Sequence, residues 1–198
     1  MSAPRSRRNT PQRILDVAEQ LVQVRGFNAF SYADVAAKLG ITKASLHYHF
    51  PGKAGLGRAL VQRYAERFAT ALAQIDAGTV SPPASLAAYA ALYGDVLRGR
   101  RMCLCGMLAA EYRTLPKPMM QDILAFFDAN EAWLERVLEE GRAEGTLQFA
   151  SSSRDTARMI IGTLEGAMLV ARPYADVERF ETSARTLVDG LSTAGVTR

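Results

Sequence analysis

Apolar residues recur along the chain at intervals of three and four, which is the spacing of one face of an α-helix. No segment shows the alternation of apolar and polar residues that marks a half-buried strand. Short stretches rich in glycine, proline and serine separate the apolar stripes and divide the chain into about nine predicted helices. The pattern therefore predicts an all-α protein.

Residues 31–53 contain two short predicted helices separated by a turn. Ser31 and Thr42 are placed to cap the first turn of each helix, because their hydroxyls accept free backbone N–H groups. Gly40 follows the first helix at a position where a left-handed backbone favours glycine. This succession matches the helix-turn-helix of DNA-binding domains, whereas an ordinary two-helix corner is the structural alternative.

The outward side of the second short helix is polar. Leu46 and Phe50 are four residues apart and are predicted to face inward. The residues left mostly outward are Lys43, Ser45, His47 and Tyr48. Such side chains offer partners to phosphates and base edges rather than to a core, so this face is the candidate DNA-reading surface.

A further helix is predicted to begin at Thr10 and to end before Gly26, completing a three-helix head. Residues 1–9 are rich in serine, proline and arginine and lack apolar periodicity. We predict that they form a mobile basic arm, which either reaches DNA or has no specific role. The predicted domains are residues 1–52, the head with its arm, and residues 53–198, the body.

Positive charge is concentrated in the N-terminal part of the chain. Residues 1–60 contain nine basic and three acidic residues, a net charge of +6, whereas the whole chain carries +4, which leaves −2 for the remainder. A basic head on a nearly neutral body is typical of a protein that binds a polyanion through one part. The same asymmetry argues against a DNA-packaging protein that would bind along its whole surface.

The body is predicted to be helical throughout. A long helix over residues 53–75 has a continuous apolar stripe and is expected to lead from the head into the body. Further helices are predicted over residues 83–97, 103–111 and 118–144. None of these segments is an apolar run long enough to cross a membrane, and the N-terminus lacks the apolar core of a secretory signal. We therefore expect a cytoplasmic protein.

The last two predicted helices differ from the others. The helix over residues 156–170 is apolar on most of its sides and must be buried on most of them. Together with the helix over residues 176–191 it is predicted to form half of a four-helix dimer bundle. The residues predicted for the dimer interface are Ile161, Leu164, Met168, Phe180, Leu187 and Leu191.

The sequence resembles the TetR family of bacterial transcription regulators. The resemblance rests on Gly26 and Phe27, on residues 35–50, and on Lys53 and Leu56. It implies a three-helix DNA-binding head, a helical ligand-binding body and a homodimer that binds a palindromic operator, usually as a repressor. The residues it implies for DNA contact are Tyr32, Thr42, Lys43, Ser45, His47, Tyr48, His49 and Lys53. At the position of His47, family members often have tyrosine.

The resemblance also implies a small apolar or amphipathic effector bound in the body. Thioether and aromatic side chains suit such a ligand, although they equally suit an ordinary core. The predicted pocket residues are Tyr89, Tyr93, Met102, Cys103, Met107, Phe126, Phe127 and Trp133.

Other functions leave weaker signals in the sequence. No glycine-rich phosphate loop and no grouping of histidine with carboxylates at metal spacing is present, so we predict neither an enzyme nor a metal or other cofactor. Cys103 and Cys105 are a single residue apart and lie close to Arg100 and Arg101. Positive charge lowers the pKa of a thiol, so a repressor that senses oxidants or electrophiles is the alternative.

Overall fold

The computed structural model describes residues 10–193, and within them the chain forms nine α-helices. The helices are α1 (Thr10–Arg25), α2 (Tyr32–Leu39), α3 (Lys43–His49), α4 (Lys53–Gly78), α5 (Pro82–Arg98), α6 (Leu104–Ala110), α7 (Lys117–Ala143), α8 (Ser153–Ala171) and α9 (Val177–Leu191). Short 3-10 helices follow α6 and α8, and an isolated bridge joins Leu147 to Ser192. The all-α prediction is confirmed. The predicted arm lies outside the described residues.

The predicted caps form as expected. The Ser31 hydroxyl accepts from the Asp34 backbone N–H at 3.4 Å, and the Asp34 carboxylate accepts from the Ser31 N–H at 2.7 Å. Gly40 ends α2 with a φ of 65°, in the left-handed region. The Thr42 hydroxyl accepts from the Ser45 N–H at 3.1 Å and opens α3. These local bonds fix the start of both short helices and the turn between them.

The described chain groups into two compact units. The first contains residues 10–65 and 104–124, and the second contains residues 66–103 and 125–193. Helices α4 and α7 each contribute residues to both units. The first unit therefore contains residues 53–65 and 104–124 in addition to the predicted head.

The core of the first unit joins the helix-turn-helix to residues far along the chain. Helix α1 packs against α2 and α6, and α2 packs against α3. Fully buried apolar side chains of this core include Ile14, Val22, Val35, Leu46, Leu56 and Met119.

A buried ion pair reinforces the first unit. The Arg63 guanidinium of α4 donates to Asp16 at 2.6 Å and to Glu19 at 2.7 Å, both on α1. The side chains of Arg63 and Glu19 are only 15% and 5% exposed. Because these charges are largely removed from water, each depends on the other for stabilisation.

In the second unit, α8 packs against α9 and α5, and α5 packs against α9. Its core is apolar, with Leu86, Leu134, Ala157, Leu164 and Met168 buried. No helix between residues 10 and 193 has the length and apolar character needed to cross a membrane.

Candidate nucleic-acid interface and buried polar cluster

Helix α3 presents a polar face to solvent, as its sequence predicts. Leu46 is fully buried, whereas Tyr48 is 83% exposed. The other outward residues of this reading face are Thr42, Lys43 and His47, which are exposed, and Ser45 and His49, which are partly buried. The face therefore has one large exposed aromatic side chain among short polar and basic ones.

Tyr32 does not belong to this exposed face. It is 9% exposed, and its hydroxyl donates to the Phe50 carbonyl at 2.8 Å. Its ring lies 4.7 Å from the ring of His47. Burial raises the pKa of Tyr32 to about 12, so the hydroxyl remains a donor. The side chain therefore joins α2 to the end of α3.

Lys53 is also turned inward. Its ammonium donates to the Phe30 carbonyl at 2.5 Å and lies 4.7 Å and 4.4 Å from the ring centroids of Phe27 and Phe30. Burial lowers its pKa, and the nearby carboxylates of Glu111 and Asp34 oppose that effect. These contacts hold the start of α4 against the α1–α2 turn.

Glu111 supports the same turn from a distant part of the chain. Its carboxylate accepts from the backbone N–H groups of Phe27 at 2.8 Å and Asn28 at 3.1 Å. The Asn28 side chain donates to Thr114 at 2.7 Å. Gly26 has a φ of 93°, and a Cβ there would lie 2.5 Å from the Glu111 carboxylate. No local sequence signal predicts this support, because the hydrogen bond joins residues 84 positions apart.

A buried polar cluster lies in the second unit. Tyr89 and Tyr93 are 0% and 2% exposed, and their hydroxyls are 3.0 Å apart. The Tyr89 hydroxyl donates to the side-chain oxygen of Asn130 at 3.2 Å, and the Asn130 amide donates to the Phe126 carbonyl at 2.7 Å. Burial raises the pKa of both tyrosines, so both hydroxyls stay protonated.

Aromatic rings pack against the rings of Tyr89 and Tyr93. The Phe68 ring lies 6.0 Å from the rings of Tyr89 and Tyr93 and 5.2 Å from that of Phe126, edge to face. The Trp133 ring stacks on Tyr89 at 5.5 Å, and its N–H donates to Asp76 at 3.1 Å. Polar groups inside an aromatic wall are typical of sites for amphipathic ligands.

Glu165 adds a carboxyl group to this cluster. Burial raises its pKa, and a hydrogen bond from the Cys103 thiol opposes that rise. Its Oε1 atom is buried and has no hydrogen-bond partner. The sequence pattern does not predict the burial of Asn130 or Glu165, because an isolated polar residue in a helix is usually a surface residue.

The other predicted pocket residues are divided between the two units. Met102 and Phe126 are buried in the second unit, and Phe127 is partly buried with its ring 5.4 Å from that of Phe126. Met107 belongs to the first unit. The group brought together around the tyrosine hydroxyls is therefore smaller and more polar than the predicted one.

The predicted dimer residues are mostly internal. Residues of this set that are at most 8% exposed are Ile161, Leu164, Met168, Phe180 and Leu191. Leu187 is partly buried. These side chains therefore belong to the core of the protomer.

The opposite side of α8 is apolar and exposed. Met159, Leu169 and Val170 are 45%, 62% and 55% exposed. Gly162 and Gly166 lie on the same side, with no atom within 4 Å of an added Cβ. We call these five residues the α8 outer face.

Comparison with known proteins places this geometry in a family. Residues 14–60 match the bacterial regulatory proteins of the tetR family, and residues 82–187 match the tetracyclin repressor-like C-terminal domain. The HTH-type transcriptional repressor ComR of Escherichia coli (strain K12) is 27% identical over 177 residues, which cover 87% of this chain and 84% of ComR. The chain belongs to the TetR family of bacterial transcriptional regulators.

Solved structures agree with this assignment. A TetR-family regulator from Agrobacterium tumefaciens is 31% identical, covers 94% of this chain and 99% of its own, and superposes with a TM-score of 0.90. A TetR regulator from Legionella pneumophila is 33% identical, with coverages of 93% and 98% and a TM-score of 0.84.

Proposed function

We propose that this regulator is a repressor that binds a palindromic operator as a homodimer and is released by a small amphipathic effector. The observation that carries the proposal is the reading face of α3, which is polar and exposed on a helix fixed by Thr42 and Leu46. The net positive charge of residues 1–60 supports binding to a polyanion. The reading face would enter the major groove.

The proposed dimer forms through the α8 outer face. Two glycines on this face allow close approach of a second helix, and three large apolar side chains provide area to bury. A two-fold dimer would place its two reading helices in successive major grooves, about 34 Å apart. An effector that changes this spacing would release the operator.

The proposed effector site is the buried polar cluster of the second unit. The Tyr89 and Tyr93 side chains pack against aromatic rings and interact electrostatically with the Glu165 carboxyl, so the cluster suits a ligand with one apolar part and one donor group. The unpartnered Oε1 of Glu165 favours a ligand that donates a hydrogen bond or carries a positive charge.

The thiol-sensing alternative has less support. Cys103 and Cys105 are 1% and 0% exposed, and Cys103 hydrogen-bonds to a carboxyl group. Reactive cysteines need access and a positive environment that stabilises the thiolate. We therefore place Cys103 among the polar groups of the effector site.

Replacing Tyr48 with alanine tests the DNA-binding part of the proposal. Because Tyr48 is 83% exposed, we expect Tyr48→Ala to leave the fold unchanged. We expect its affinity for DNA from upstream of its own gene to fall about tenfold, as for loss of a base-reading side chain. Fluorescence anisotropy measures the affinity of each protein for this DNA. Val80→Ala is the matched control, since Val80 is 97% exposed in the second unit. Unchanged affinity of Tyr48→Ala would remove α3 as the reading helix.

Replacing Glu165 with glutamine tests the effector site, with phenethylamine as the probe. We expect titration calorimetry to show about tenfold tighter binding to wild type than to Glu165→Gln, because a charge-assisted hydrogen bond is lost. Burial holds the pKa of Glu165 above its ordinary 4.5, so wild-type affinity should rise as pH rises through that higher value. The variant should lack this rise. Phenethyl alcohol, which has similar shape and no charge, is the control ligand. Equal phenethylamine affinities for both proteins would refute this ligand class.

A further inference from the structure

His47 is held in one orientation although it is exposed. Its Nδ1 atom lies 3.3 Å from the carbonyl oxygen of Pro51. Its ring lies against that of Tyr32, with centroids 4.7 Å apart and planes at 51°. Tyr32 is itself anchored by the bond from its hydroxyl to the Phe50 carbonyl. The imidazole is therefore fixed at one nitrogen and on one ring face.

The Pro51 carbonyl decides which ring nitrogen carries the proton. A carbonyl oxygen only accepts, so Nδ1 of His47 must donate in this contact. In a neutral imidazole the other nitrogen, Nε2, then has a free lone pair and accepts. Nε2 has no hydrogen-bond partner among residues 10–193. On the reading face, His47 thus presents an acceptor.

An acceptor in the major groove finds two kinds of donor on base edges, the N6 amino group of adenine and the N4 amino group of cytosine. Guanine and thymine present carbonyl oxygens there. A carbonyl oxygen is an acceptor, so it would repel the lone pair of Nε2 instead of forming a hydrogen bond with it. We propose that His47 reads an exocyclic amino group, and so selects adenine or cytosine on the strand it contacts. This rests on the proposed entry of α3 into the major groove. A tyrosine hydroxyl both donates and accepts, and would not discriminate in this way.

The base pair read by His47 is found by selection from random double-stranded DNA. The proteins compared are full-length wild type, His47→Phe, which keeps a ring against Tyr32 without a nitrogen, and the control Val80→Phe, which adds the same ring at a 97% exposed position of the second unit. We expect His47→Phe to lose sequence preference at a single base pair in each half-site and Val80→Phe to retain it. If wild type enriches no sequence, the proposed function fails. If His47→Phe keeps every preference, only the role of His47 fails.

Base analogues at that pair then test the direction of the hydrogen bond. Purine in place of adenine, or pyrimidin-2-one in place of cytosine, removes only the amino group. We expect wild-type affinity to fall about three- to tenfold, the range for loss of one hydrogen bond, and that of His47→Phe to stay constant. A 7-deaza purine at the same pair removes an acceptor and should leave wild type unaffected. Sensitivity to the 7-deaza analogue instead of the amino deletion would show that His47 donates, and would overturn the proposal.

Tyr32 is a positioning residue in this account. Tyr32→Phe keeps the ring beside His47 but removes the bond to the Phe50 carbonyl. We expect weaker discrimination at the His47 base pair, with preferences at other pairs unchanged. An equal loss of affinity for all sequences would show a purely structural role and would overturn this assignment.

Discussion

Replacing Arg63 with alanine should destabilise the protein by about 3–5 kcal/mol, because it removes a charged partner from a buried carboxylate. The carboxylate is that of Glu19, whose side chain is 5% exposed and accepts from Arg63 at 2.7 Å. The ion pair joins α1 to α4, so operator binding should be lost with stability. Urea denaturation followed by far-UV circular dichroism measures the change in free energy of unfolding.

Arg58→Ala is the matched control, since it removes the same kind of side chain from the same helix. Arg58 pairs with Asp122 at 3.0 Å, but the two side chains are 47% and 20% exposed. Because water already solvates this pair, its loss should cost less than about 1 kcal/mol. Similar losses of stability in the two variants would show that burial does not set the strength of the Arg63 pair.

Placing a charge on the α8 outer face should separate the proposed dimer. Leu169 is 62% exposed, so Leu169→Asp should fold normally as a protomer. In a dimer the new carboxylate would be buried without a partner, and we expect the variant to be monomeric in analytical ultracentrifugation. Operator affinity should fall about 100-fold or more, because a single head loses the gain from two linked contacts.

The control for this prediction is Val80→Asp, which adds the same charge at a position that is 97% exposed. It should remain dimeric and keep its operator affinity. A dimeric Leu169→Asp, or a monomeric wild type, would contradict the assignment of the α8 outer face.

Sequence alone predicted the features that depend on neighbouring residues. The caps at Ser31 and Thr42 and the left-handed turn at Gly40 involve atoms at most a few positions apart, so residue type at a fixed spacing was sufficient. Helix α2 begins directly after Ser31 and ends directly before Gly40 for the same reason. The exposure of Tyr48 and the burial of Leu46 followed from helical periodicity.

The features that sequence did not predict depend on packing across long separations. Tyr32 and Lys53 have residue types that suit DNA contact, and only the position of the Phe50 and Phe30 carbonyls turns them inward. The burial of Glu165 depends on the arrangement of other helices around α8, which periodicity does not specify. The side of α8 that faces the core was likewise ambiguous, because apolar residues lie on most of its circumference.

The Glu111 carboxylate accepts hydrogen bonds from the α1–α2 turn, and this limits which segments can be exchanged between such proteins. A fragment that ends at residue 52 would contain the reading face without the carboxylate that accepts from Phe27 and Asn28. It would also lack Arg63, a partner of Glu19 on α1. An N-terminal segment transplanted onto a foreign regulator would therefore keep its specificity only if the recipient supplied equivalents of these residues. The unit that would have to be transferred consists of two separate segments of the sequence, residues 10–65 and 104–124. A gene fusion with a single junction between these segments would separate them.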